Sequence, residues 1–73
     1  MAELINGVEV SNISITYAKL IMDGVYTFDK VKKRFKSDCA VVLVAMDYED
    51  KVTDETYLAE AKDRLAKAQE NNE

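Results

Sequence analysis

The sequence predicts a mainly α fold: a small three-helix domain preceded by a short N-terminal β-hairpin or extended arm. Three observations carry that expectation. Asn6-Gly7, flanked by Ile5 and Val8, is a strong two-residue hairpin signal. Behind it run stretches whose apolar residues recur every three or four positions, the helical period. A chain of 73 residues with 48% apolar content suffices for one domain, residues 1–73, built on one small core.

Residues 1–13 read as the β arm, with Val8, Val10 and Ile13 as its β-branched members. So short a hairpin is marginal alone and has to dock; a frayed tail is the alternative. Residues 14–70 read as helical. Ser14 is the expected N-cap of a first helix, Tyr17, Leu20 and Ile21 form its apolar stripe, and Gly24 stands where a left-handed C′ residue belongs. A second hairpin turning at Asp23-Gly24 competes with this helix.

Thr27 is the N-cap candidate for a second helix. Along it Phe28, Val31, Phe35, Cys39, Val42 and Met46 alternate spacings of three and four, close to a heptad seam. From Cys39 to Met46 every side of this helix is apolar; a strand over Val41-Val42-Leu43-Val44 is the competing assignment. Residues 47–53 form an acidic link. Thr53 is the expected cap of the last helix, with Asp54 and Glu55 in the first turn, where the helix dipole favours them. Tyr57, Leu58, Ala61, Leu65 and Ala68 make its apolar stripe, and Glu60→Arg64 and Asp63→Lys67 are i, i+4 pairs in the favourable order. Residues 71–73 read as a frayed tail.

The residues argue against chemistry. Histidine is absent and Cys39 is the lone cysteine, so one copy builds no disulfide scaffold, Cys/His zinc site or Ser-His-Asp triad. No pair resembles a nucleophile with its base. The carboxylates Asp47, Glu49, Asp50, Asp54 and Glu55 lack the glycine and the spacing of a calcium loop. No catalytic, metal or cofactor residue is assigned, and the expectation is a protein that is not an enzyme. Cys39 reads as a buried structural thiol.

A net charge of −4 argues against nucleic-acid binding. The run Lys30, Lys32, Lys33, Arg34, Lys36 is an electrostatic patch, read as a solvated helix face or one that meets an acidic neighbour such as the link of a second copy. The apolar run is far too short for a bilayer, and the first residues lack a signal-like pattern. A cytoplasmic location follows, in the host cell if the protein is viral, or association with the virion. The all-round apolar segment from Cys39 to Met46 implies a homo-oligomer, most simply a two-fold dimer, with an interface at Val41, Leu43 and Val44 joined by Tyr48 and Tyr17.

The stretches Tyr17-Ala18-Lys19-Leu20-Ile21-Met22-Asp23-Gly24, Tyr26-Thr27-Phe28-Asp29-Lys30-Val31 and Arg34-Phe35-Lys36 resemble short XkdX-type proteins from late cassettes of phages and prophages of Gram-positive hosts. The shared pattern is an apolar helix ending in Gly, a Thr-Ile/Phe-Asp-x-Val step and a second helix, over about 30 residues of the chain. Members often carry Pro after the Val; Lys32 in that place favours an uninterrupted second helix here. The resemblance implies a tail-region or morphogenesis accessory and brings no activity with it. The expected function is therefore a non-enzymatic interaction or structural protein, acting by self-association or by docking to a larger phage or host assembly. The alternative is a small acidic inhibitor of a host nucleic-acid enzyme, of anti-restriction or anti-CRISPR type; a regulator using the basic run comes third.

Overall fold

A computed structural model of the chain describes residues 2–70, with side chains described over residues 4–68. The expected frayed tail, 71–73, lies outside the described residues. In chain order the described elements are β1 (Ala2–Ile5), β2 (Val8–Ser11), α1 (Asn12–Met22), α2 (Lys33–Ala45) and α3 (Glu55–Glu70), with a 3₁₀ turn at Phe28–Lys30 and another at Glu49–Lys51. The fold is mainly helical with an N-terminal hairpin, as the sequence predicts.

β1 and β2 pair antiparallel, with Ile5 opposite Val8 and Leu4 opposite Glu9. Asn6 and Gly7 both take positive φ, 51° and 88°, the conformation a two-residue type I′ turn demands. A Cβ on Gly7 would stand 3.3 Å from the Cβ of Ala68, so the turn is pressed against the far end of α3. Val8 and Val10 are buried, whereas Leu4 and Glu9 lie on the outer face.

α1 starts earlier than its predicted cap. Ser11, extended at φ −75° and ψ 151°, accepts the Ser14 N–H on its hydroxyl oxygen, so Ser11 is the N-cap. Asn12 and Ile13, expected in the arm, are helical. Ser14 is fully buried, its hydroxyl 2.8 Å from that of Ser11. Both serines suit a cap chemically; the strand ending at Ser11 decides between them. At its C-terminus α1 closes as expected: Gly24 takes φ 78°, its N–H donates to Ile21 O, and the Val25 N–H donates to Leu20 O.

The predicted second helix breaks in two. Phe28–Lys30 is a separate 3₁₀ turn, Val31 and Lys32 are extended, and α2 begins at Lys33. Lys32 sits at φ −60° and ψ 140°, a geometry proline also favours, so this lysine makes the corner it was expected to remove. Residues 39–45 are helix, not strand. α2 is the central element: the hairpin, α1 and α3 pack around it, and Cys39, Ala40, Val41, Val42 and Leu43 are all buried by the chain's own elements. The expected need for a second copy to cover this segment therefore does not arise; a hairpin and two helices suffice. Met46, the last member of the predicted seam, is 47% exposed.

α2 ends as α1 does, with Asp47 at φ 66° in the glycine-type position and the Tyr48 N–H donating to Leu43 O. α3 is capped one residue later than expected: Asp54, not Thr53, accepts the Thr56 N–H at 2.9 Å. Ala61 is fully buried, and Tyr57, Leu58, Leu65 and Ala68 pack partly buried against the core, as the stripe predicts.

Candidate functional site

A helix of a small domain ordinarily turns one apolar face inward and one polar face outward. α1 does more. Ser14, Ala18 and Ile21 are buried, with Ile15 and Met22 packed beside them. Ile13, Thr16, Tyr17 and Leu20, at i, i+3, i+4 and i+7, form a second row and line a shallow hollow of about 170 Å³. Ile13 is 53% exposed, while Tyr17 and Leu20 are half-buried.

This second row stands on an aromatic base. The Tyr17 ring stacks on Tyr26 at 5.5 Å between centroids and tilts against Phe35 at 6.0 Å. Tyr26 in turn donates its hydroxyl to the Lys30 carbonyl at 3.1 Å. Link, helix α1 and helix α2 thus hold the Tyr17 ring in place. Of the expected interface residues, Tyr17 lies in this row, half-buried. Val41 and Leu43 are fully buried and Val44 half-buried, while Tyr48 is 39% exposed at the far end of α2. The predicted set is therefore not one surface. Ile13 escaped it because a helix assumed to start at Ser14 leaves Ile13 in the arm, and Leu20 because it was read with Tyr17 and Ile21 as the stripe facing the core.

The basic run is scattered by the break before α2. Lys30 lies in the 3₁₀ turn, Lys32 before the helix, and Lys33, Arg34 and Lys36 in its first turns. The Arg34 guanidinium lies 5.0 Å from the centre of the Phe35 ring, and the Lys36 ammonium 5.7 Å from that of Phe28. None of the five enters an ion pair among the described residues.

One charged cluster is built, and it is structural. Arg64 on α3 donates to Asp38 Oδ1 at 3.0 Å and to Ser37 Oγ at 2.8 Å, and its other nitrogen reaches Glu9 O on β2 at 3.5 Å. Asp38 Oδ2 accepts the Ser11 N–H at 3.2 Å, and Ser37 donates to Glu60. Arg64 thereby joins hairpin, α2 and α3 instead of forming the expected ion pair with Glu60. The Asp63–Lys67 pair forms as predicted, at 3.1 Å.

A wider, open hollow of about 610 Å³ lies between the first link and the start of α3, lined by Phe28, Asp29, Lys36 and residues 53–56. Its charges are of both signs, and Asp54 is already engaged as the helix cap. Cys39 is fully buried and burial pushes its thiol up to about 12, so it offers no thiolate near neutral pH. Among the described residues no group of three or more Cys, Asp or Glu stands together as metal ligands, and no helix is long and apolar enough to cross a membrane.

The chain matches no family model, no curated protein and no solved structure.

Proposed function

We propose that this chain is a non-enzymatic interaction protein of phage or prophage origin that docks onto a protein surface of a larger assembly through the outward face of α1. The observation that supports this reading is the second apolar row, Ile13, Tyr17 and Leu20, on a helix whose other apolar face already fills the core. Tyrosine held by neighbouring rings suits such a contact, since its large area needs little further ordering on binding. A small-molecule site suits it less: at about 170 Å³ the hollow falls below the roughly 300–1,000 Å³ of ligand pockets. The Thr16 hydroxyl there already donates to Asn12 O at 3.1 Å. On this reading the protein works in the host cytoplasm or on the particle itself.

The test is co-sedimentation of the tagged protein with particles from an induced prophage-bearing culture, against an Ile13→Asp/Leu20→Asp variant that melts like the parent. Parent protein in the particle fraction and variant in the soluble pool is the expected result. Equal partition of the two overturns the proposal.

A further inference from the structure

The two edges of the hairpin are not alike. With Asn6-Gly7 as a two-residue turn, Ile5 and Val8 form the closing hydrogen-bonded pair. Alternation then points the backbone groups of Glu9 and Ser11 away from β1, and those of Ala2 and Leu4 away from β2. On the β2 side those groups are met by protein: Asp38 takes the Ser11 N–H and Arg64 reaches Glu9 O. On the β1 side no donor or acceptor meets the outward groups of Leu4 among the described residues. The side chain at the same place is a leucine, 71% exposed. Edge strands ordinarily carry a charge, a proline or a bulge to discourage pairing; β1 has one charge, Glu3, but the position whose backbone groups point outward is Leu4.

We infer that the open edge of β1 pairs with β1 of a second copy, antiparallel about a two-fold axis at Leu4, to make a four-stranded sheet. The chemistry selects a second copy because the edge is its own complement in this register. The outward N–H of each Leu4 meets the outward C=O of the other, and the two exposed leucine side chains become direct cross-strand neighbours. Each two-stranded hairpin, marginal by itself, gains two strands. Charge weakens the pairing: in this register Glu3 of each copy stands diagonally across the seam, about 7–8 Å apart along the backbones, inside the screening length of about 8 Å in physiological salt, whereas Glu9 and Glu9 of the second copy lie three strand spacings apart, about 14 Å. A seam this short buries well under the roughly 800 Å² per partner of a stable complex, so the dimer is weak and concentration-dependent. It uses a different surface from the α1 face and stands or falls separately.

Disulfide trapping tests it. Paired Leu4 residues place their Cα atoms about 5.5 Å apart, inside the range a disulfide accepts. Under mild oxidation Leu4→Cys should form a covalent dimer about ten-fold or more faster than Val25→Cys, a site of matching exposure at 72%; buried Cys39 stays out of the reaction. Equal rates for the two variants overturn the inference. In sedimentation from about 1 µM to about 1 mM, the parent should gain mass with concentration. Leu4→Pro, which removes the outward N–H and the exposed leucine side chain but no bond to β2, should stay monomeric with an unchanged circular dichroism spectrum. A parent that stays monomeric throughout, or a folded Leu4→Pro that gains mass like the parent, overturns it as well; if Leu4→Pro fails to fold, the cysteine comparison still decides.

Discussion

The two links between helices are built alike and start their helices in opposite ways. Each follows a helix closed by a residue in the left-handed region, Gly24 in one and Asp47 in the other. Each then makes a 3₁₀ turn that ends in Asp-Lys-Val, with the valine buried: Val31 in the first link, Val52 in the second. From there they diverge. α3 begins with a side-chain cap at Asp54 and an acid, Glu55, in its first turn. α2 begins at Lys32 with no side-chain cap and with Lys33 and Arg34 at the positive end of its dipole. The first link compensates with Phe28, which is buried where the second link's turn has no buried residue. A helix that ends in the core can thus start badly, provided its link is anchored there; a helix with a mostly half-buried stripe depends on local capping.

That contrast can be broken at five points. Phe28→Ala should cost about 3–5 kcal/mol, the usual range for emptying a buried aromatic site. In a domain of this size that approaches the whole stability, so the variant should be largely unfolded by circular dichroism and its Cys39 open to thiol reagents. Gly24→Ala should cost about 1–2 kcal/mol in urea melts, all of it backbone strain, since a Cβ there meets nothing within 4 Å; Asp47→Gly should shift stability the other way by a smaller amount. Asp54→Ala should lower stability by about 1 kcal/mol and fray the first turn of α3 in amide exchange, leaving α2 protected. Lys32→Pro should raise stability by about 0.4–1 kcal/mol, because Val31 and Lys32 already hold proline-compatible angles and the Lys32 N–H has no partner among the described residues. A loss of stability there would show that the corner before α2 is held by something other than its backbone geometry.

The legible parts of this fold were those written in local chemistry. Asn6-Gly7 dictates its own turn, Gly24 its helix end, and the stripe from Tyr57 to Ala68 its buried face. The misread parts depended on choices between near-equals. Ser11 and Ser14 are equally good caps, as are Thr53 and Asp54, and neighbouring structure selected one of each. Asp47 carries no local sign that it will adopt the role of Gly24. The seam through Phe28 and Val31 continues that of Phe35, Cys39 and Val42 because both segments bury against one core, which periodicity cannot tell from a single helix. The same limit hid the candidate site. A segment apolar on all sides looked like a surface in need of a copy, but α2 lies in the middle, and the exposed row fell to α1.

The contact of Gly7 with Ala68 bears on when this protein can fold. The hairpin leaves the ribosome before α3, yet its turn sits against Ala68 near the end of that helix, and Arg64 reaches back to Glu9 from it as well. Until those late residues emerge, α2 lacks one of its walls and the nascent chain cannot hide its most oily helix. Folding of this domain is thereby deferred until α3 has emerged, and the interval before that is when these residues are most exposed to chaperones, proteases and their own neighbours on a polysome.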